Sequence, residues 1–269
     1  MKQLSQAQLK EFDEKGFLFF PSLFDASEID SLTSQLEDLF AQDMVCNVRE
    51  KGSKSVRTNF AAHNYNQAFA RLSRHPRMIK PVEELFDESV YMHQFKVNAK
   101  AAFDGDVWQW HQDFGTWHAD DHMAEPRAMN IAVFLDEVMP INGALMFIPK
   151  SHKAGVLEAG HDLSTTSYPL WTLDKAEVSK LADEGGIVAP TGPAGSVIMF
   201  HGNLVHASPP NITPYPRKIV YLTLCAVTNH ITKFNREEWI AHRDFTPIQP
   251  VADDALLAFA WERAAVAAE

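Results

Sequence analysis

From residue 90 onward the chain is made of short apolar runs broken by turn residues: SVYMHQFKVNAK, AMNIAVFLDEV, ALMFIPKS, SVIMFHGN and KIVYLTLCAVT, with Gly, Pro and Asn between them. Repeated short runs with turn signals point to an all-β sandwich or barrel. The residues before them read differently. In LSQAQLKEFDEKG, Leu4, Leu9 and Phe12 fall at helical spacing between Ser5 as N-cap and Gly16 as stop. FLFF at 17–20 reads as a short buried strand closed by Pro21. Asp25 caps a second helix with Ile29, Leu32, Leu36 and Leu39 on one face. A third helical stretch runs over about 65–86, interrupted near Pro76 and Pro81. The polar insertion 153–190 carries a helix over 174–184 and has the length of a lid or substrate loop. The expectation is one domain over 1–269: a helical N-terminal part at about 1–88, a mostly β core at about 89–230 and an Ala-rich C-terminal helix at about 252–268.

Charge and cysteine usage exclude some functions. A net charge of −11 argues against nucleic-acid binding, which needs Lys and Arg against phosphates. No apolar run is long enough to span a membrane. The polar start MKQLSQAQLKEFDEKGF has no apolar signal-peptide region. Cys46 and Cys225 form neither a CxxC nor a framework, which fits packing roles and a cytoplasmic location. The expected partner is a small-molecule substrate, and a homodimer is left open.

WQWHQDFGTWH, residues 108–118, concentrates the chemistry. His111 and Asp113 are two apart, so on a strand they share one face. An H-x-D pair alone is usually structural. The distal stretch MFHGNLVHASPP changes its weight, because His201 or His206 can supply a third ligand. Two His and one carboxylate on one side of a metal leave three positions open, as in non-haem Fe(II) oxygenases. Ser208 and Arg217 then precede the apolar strand KIVYLTLC. An Arg entering a buried strand needs an anion. A dicarboxylic co-substrate supplies one, gripped bidentately by Arg with a Ser hydroxyl beside it. The Ser and Arg spacing favours His206 over His201. His63, His75 and His93 have no spacing partner and read as structural, and His118 and His122 as loop residues. Trp108 and Trp110 read as core, and Phe114 as part of a water-excluding wall.

With those residues in place, the chain resembles the Fe(II)/2-oxoglutarate dioxygenases of the phytanoyl-CoA dioxygenase superfamily, most nearly the ectoine hydroxylase branch. YMHQFKVNAKAAFDGDVWQWHQDFGTWHADDHM is similar to the branch signature F-x-W-H-S-D-F-E-T-W-H-x-E-D-G-M-P. HASPPNITPYPRKIVYLTLCAVTN resembles H-G-S-N-S-N-I-T-P-[FY]-P-R, and NGALMFIPKSHK resembles N-G-P-L-M-x-I-P-G-S-H-K. The resemblance runs over about 16–245. It implies a double-stranded β-helix (jelly roll, cupin-like) core, with His111, Asp113 and His206 on Fe(II). It also implies Ser208 and Arg217 on the distal carboxylate of 2-oxoglutarate, with Asn98 and Gln94 near its other end. Thr116, Trp117 and Phe200 correspond to positions lining the substrate pocket, and Tyr221 stands where the branch has Phe. Arg57 in SVRTNFAAH resembles the E-V-R-S-x-F stretch and is a candidate for the pocket mouth, or for a helix-pairing or surface role.

The chain departs from the signature at Gln112, at Gly115 and over DDHMAEP, residues 120–126. These departures bear on the substrate and leave the iron triad intact. The implied reaction is O2-dependent hydroxylation of a small polar zwitterion such as ectoine, coupled to conversion of 2-oxoglutarate to succinate and CO2. The alternatives are another small amino compound, such as a free amino acid or 2-aminoethylphosphonate. From other classes come a different-metal enzyme on a cupin-like barrel and a non-catalytic jelly-roll binding protein.

Overall fold

In the computed structural model, which describes residues 3–164 and 169–267, α1 (Gln6–Lys15) starts at a reciprocal Ser5–Gln8 capping box and stops at Gly16, whose φ is +83°. β1 (Phe17–Phe20) follows at once. The expected second helix is two: α2 (Ala26–Thr33), capped by Asp25, and α3 (Leu36–Ala41). Leu32, Leu36 and Leu39 stay buried across the break. β2 (Asn47–Arg49) and β3 (Val56–Phe60) come next. The stretch about 65–86 becomes α4 (Gln67–Leu72) and α5 (Pro76–Phe86). Pro76 opens α5 where its missing N–H is no loss, but Pro81 lies inside α5 without ending it.

β4 (Val90–Lys100), β5 (Trp108–His111), α6 (Asp113–Asp121), β6 (Ala128–Phe134) and β7 (Met146–Phe147) lead to the insertion. That insertion holds β8 (Gly160–Asp162), β9 (Leu170–Thr172) and α7 (Lys175–Gly185). β10 (Val197–His201), β11 (His206–Ser208), β12 (Arg217–Ala226) and α8 (Ala255–Ala267) complete the chain. Positions 165–168 of the expected lid and position 268 of the expected terminal helix lie outside the described residues.

Among the described residues, seven antiparallel strands form one sheet in the order β1-β10-β6-β12-β4-β3-β2. A smaller sheet runs β5-β11-β7, and β8 pairs with β9 as a hairpin. The two larger sheets face each other as a double-stranded β-helix, with Phe147 and His206 of the small sheet packed on Phe200 of the large one. On the other face of the large sheet, Ile29, Leu32, Leu72, Ile79 and Val82 of the N-terminal helices cover Val97, Val133, Val220 and Leu222. β1 lies at one edge of that sheet and β2 at the other. The change of texture near residue 88 therefore does not separate helices from sheet, since the N-terminal part supplies strands at both edges.

Some histidines are packed as neutral groups. Burial lowers His63 to about 3, and His201 and His242 to about 4. Unfolded histidine titrates near ~6.5, so below that pH the unfolded chain binds more protons than the folded one. Stability is therefore full above pH ~6.5 and is lost as the pH falls toward ~4. By pH ~5 each of the three costs about 2 kcal/mol. Guanidinium unfolding at pH ~7 and ~5 should show a large drop in midpoint. Equal midpoints would mean that these side chains protonate without unfolding.

Candidate active site

β5 ends in His111, and the chain passes through Gln112 straight into α6, which begins at Asp113. The H-x-D pair is therefore not one face of a strand, as the spacing suggests, but the last residue of a strand and the first of a helix. Gln112 holds this switch: its amide donates to the carbonyls of Gly155 and Asn203 and accepts from the Leu157 N–H. In the first turn of α6 the helix dipole favours the Asp113 carboxylate. His206 opens β11 and pairs with His111 across the small sheet.

The two imidazole centroids are 4.1 Å apart, and Asp113 lies 3.5 Å from Nε2 of each. The three candidate donor atoms fall within 4.8 Å of one another, and no other such group occurs among the described residues. His111 Nδ1 donates to the Gln109 carbonyl at 2.6 Å and His206 Nδ1 to the Leu204 carbonyl at 2.9 Å. Each Nε2 lone pair is thus turned toward Asp113, the arrangement metal-binding histidines use. Burial, followed by His111, lowers His206 to about 3 and keeps its imidazole neutral. Burial pushes the Asp113 carboxyl up, but the groups around it, led by the opposing charge of Lys96, outweigh burial and hold it well below the usual carboxylate range. Asn130 Nδ2 donates to Asp113 Oδ2 at 2.7 Å, and the Thr223 hydroxyl donates to Asn130 Oδ1 at 2.8 Å. His201, the rival ligand, lies elsewhere. Its Nδ1 accepts from the Asn203 N–H, and its ring lies against His152 and Phe12.

A cavity of about 300 Å³ opens beside the triad, and Gln94, Asn98, Thr116, Trp117, Ser208 and Tyr221 line it. Phe200 does not. It packs under the His206 ring at 5.0 Å and against Phe147, so it braces a candidate ligand from the inter-sheet core. Phe114 is likewise core, in a cluster with Tyr91 and Trp117. Trp108, read as core, lines the cavity, while Trp110 packs against the cluster around Ile148 and Val205. Arg57 does not reach the cavity mouth. Its buried guanidinium lies 4.0 Å from the Trp108 ring centroid and pairs with Glu50 at 3.1 Å. His118 bonds to the Met123 carbonyl, and His122 closes α6 at φ +54° where the branch signature has Gly. His75 caps α5, His63 packs tilted on Phe95 and edge-on to His242, and His93 meets Trp117 edge-on.

Two charged cavity residues, Lys96 and Arg236, escaped the sequence reading, and a third, Asp120, opens the departing stretch 120–126. Lys96 shared a signal with its neighbours, because Gln94, Lys96 and Asn98 alternate on β4 and face one side. Its ammonium lies 5.5 Å from the Tyr221 ring centroid and makes no hydrogen bond or ion pair with a described residue. Burial lowers its pKa, opposed by Asp113. Asp120 accepts from the Trp171 indole N–H at 3.3 Å. Arg236 grips the buried Asp121 carboxylate and had no periodic signal in its loop. The insertion contributes His161, Pro169, Leu170 and Trp171 to the cavity wall, with the His161 and Trp171 rings stacked.

Arg217 opens β12 and is 1% exposed. Its Nε and Nη1, and Ser208 Oγ, are buried without a hydrogen-bond partner among the described residues. Stranded donors of this kind are costly. A carboxylate with two oxygens fits them. Asn98 Oδ1 is taken by the Thr58 hydroxyl at 2.9 Å, and Gln94 Nε2 by the Ile240 carbonyl at 3.1 Å, which fixes both amides at the cavity wall.

The comparisons agree with this geometry. The model of the family described as phytanoyl-CoA dioxygenase (PhyH) matches residues 12–219. An L-proline trans-4-hydroxylase of Streptomyces griseoviridis is 35% identical, over 91% of this chain and 95% of its own length. An ectoine dioxygenase of Sphingopyxis alaskensis is 36% identical, over 86% of this chain and 78% of its own. The crystal structure of S. alaskensis EctD with 2-oxoglutarate and 5-hydroxyectoine superposes with a TM-score of 0.82 at 34% identity, covering 93% of this chain and 88% of that one. A structure of the same protein with bound Fe gives 0.81 with the same coverage. The described helices include none long and apolar enough to cross a membrane. By motif, fold and sequence relationship, the chain belongs to the phytanoyl-CoA dioxygenase family.

Proposed function

We propose that the protein is an Fe(II)/2-oxoglutarate-dependent hydroxylase of a small cyclic zwitterion, with ectoine the first candidate and L-proline the second. One observation carries this reading: the unpartnered Ser208 hydroxyl lines the same cavity as a buried His/Asp/His set, and the stranded donors of Arg217 lie beside Tyr221 of that cavity wall. In this reading His111, Asp113 and His206 hold iron, and Arg217 and Ser208 hold the distal carboxylate of 2-oxoglutarate. Asn98 and Gln94 flank the co-substrate's other end. When bound, iron and 2-oxoglutarate supply the oxidising power that places one oxygen atom of O2 on a substrate carbon and leaves succinate and CO2.

The chain's own residues hold the substrate and keep water out. Phe60, Trp108, Trp117 and Tyr221 wall the cavity with aromatic surface. Thr116 Oγ1 is buried without a hydrogen-bond partner among the described residues and is available to a polar substrate atom. Lys96 is available to a carboxylate and Asp120 to a cation, so one cavity offers complementary charges to a zwitterion. A volume of about 300 Å³ is at the lower end of the ~300–1,000 Å³ usual for small-molecule sites, and suits a compact substrate better than an acyl-CoA. The ectoine dioxygenase relatives support ectoine. The L-proline trans-4-hydroxylase relative supports L-proline, and the departures at Gly115 and His122 loosen the match to the ectoine signature. Gln112 carries no weight in that choice, because its amide is used up in bracing the ligand turn.

The test is succinate formation by the Fe(II)-loaded protein with 2-oxoglutarate and O2, given ectoine, L-proline, 2-aminoethylphosphonate or an acyl-CoA. Succinate stimulated by ectoine or L-proline, with a hydroxylated product, supports the reading, and stimulation by the acyl-CoA alone overturns it. Lys96→Met should then raise the KM for the active zwitterion about 10- to 150-fold, the worth of a charge-assisted hydrogen bond. The KM for 2-oxoglutarate should change far less. The reverse ranking would take Lys96 out of the substrate's part of the cavity.

A further inference from the structure

Arg217 is not the only buried basic side chain at the co-substrate end. Lys100, the last residue of β4, stands directly across the ladder from it, and each is 1% exposed. Like charges directly opposite on antiparallel strands repel. The Lys100 ammonium donates to the backbone carbonyl of Asp106 and makes no ion pair with a described residue. Its stem is held in place. A Cβ on Gly105 would fall 2.6 Å from Lys100 Cβ, and one on Gly143 2.5 Å from its Cδ. The other charges facing it are Arg57 from β3, Glu50 beyond β2, and Asp106. Glu50 is bound to Arg57 at 3.1 Å, and Asp106 lies 3.8 Å from Arg57. A protonated Lys100 would make three cations, with Arg57 and Arg217, against two carboxylates, behind the Tyr221 wall where Arg217 keeps its unpaired donors.

We propose that Lys100 is a positioning residue of the co-substrate site: acting through Arg217, it takes a proton from solvent as the dicarboxylate binds, and so makes 2-oxoglutarate bind more tightly as the pH falls. The proposal rests on the reading that Arg217 receives the distal carboxylate. Burial first, then Arg217 and Arg57, lowers Lys100 to about 6, so near neutral pH it is largely uncharged until an anion arrives. A carboxylate drawn to Arg217 brings negative charge close to the amine and raises its pKa. The coupling is reciprocal, so proton uptake on binding and tighter binding at low pH are two measures of one quantity. The gain is full below about 6 and is lost as the pH rises through the higher value of the bound state. Both carboxyls of 2-oxoglutarate stay ionised throughout that range.

The experiment is calorimetric titration of 2-oxoglutarate into the Fe(II)-loaded protein without oxygen. It is run from pH ~6.5 to ~8.5 in two buffers of different ionisation enthalpy. The unaltered protein should take up a fraction of a proton near pH ~7, with Kd rising about tenfold across the range. Lys100→Met keeps the stem and removes the charge. It should lose the uptake and the pH dependence, and bind about tenfold more weakly at pH ~6.5. No uptake by the unaltered protein, or uptake retained in Lys100→Met, overturns the proposal. The buffer comparison on the unaltered protein decides the matter even if that variant does not fold. Arg217→Ala separates the two levels of the argument. If it leaves Kd unchanged, the reading of the site fails, and the proposal with it. If it weakens binding while Lys100→Met binds as the unaltered protein does, only the role of Lys100 fails.

Discussion

Asp113→Ala is expected to lose Fe(II) binding and turnover together while the fold is kept. Asp113 is the only anion of the three candidate donors and lies 3.5 Å from Nε2 of both His111 and His206. Loss of an outer partner to a metal ligand typically costs about 10–100-fold in affinity, and loss of the charged ligand itself costs more. The substitution strands the Asn130 amide, which donates to Asp113 Oδ2, and removes the carboxylate facing Lys96. An unsatisfied buried donor costs about 1–3 kcal/mol, which a domain stable by about 5–15 kcal/mol survives. Iron content after anaerobic dialysis, beside a circular dichroism spectrum, checks both halves. Stoichiometric iron in the variant would remove Asp113 from the ligand set.

Arg217→Ala should weaken 2-oxoglutarate by about 2–5 kcal/mol, the usual cost of truncating one partner of a buried charge pair, or roughly 30- to 5,000-fold in Kd. The size follows from burial. Arg217 is 1% exposed, so its charge is poorly screened, and Ser208 Oγ alone would remain for the distal carboxylate. The iron site should be untouched, because Arg217 contributes no donor atom to it. A variant with normal Fe(II) binding and an unchanged Kd for 2-oxoglutarate would place the co-substrate's carboxylate elsewhere.

Much of the fold was legible in the sequence because β4, β6, β10 and β12 are apolar runs flanked by turns, and the capped helices α1 and α2 carry their own start signals. β2 and β3 were not legible. NVR and VRTNF bury Arg57, Thr58 and Asn59, which are tolerable inside only because Glu50, Asn98 and Asn47 satisfy them. Those partners are distant in sequence or on another strand. Residue types and spacing pointed to the His/Asp/His set, but they suggested a shared strand face where the chain in fact turns from strand to helix at Gln112. Side-chain direction decided the rest. Phe200 points into the inter-sheet core and Arg57 behind Trp108, whereas Lys96 faces the cavity, and only Lys96 followed from simple alternation. Arg236 entered the cavity wall from an irregular segment through its bond to Asp121, a tertiary contact with no local pattern behind it.

The central claim is that one buried site holds Fe(II) on His111, Asp113 and His206 and 2-oxoglutarate on Arg217 and Ser208. The most direct measurement is an oxygen-free titration of the Fe(II)-loaded protein with 2-oxoglutarate, followed by visible absorption. The account predicts a weak charge-transfer band that saturates at one co-substrate per chain, is absent in Asp113→Ala, and needs far more 2-oxoglutarate in Arg217→Ala. No band in the unaltered protein, or the same band at the same concentration in both variants, would contradict it.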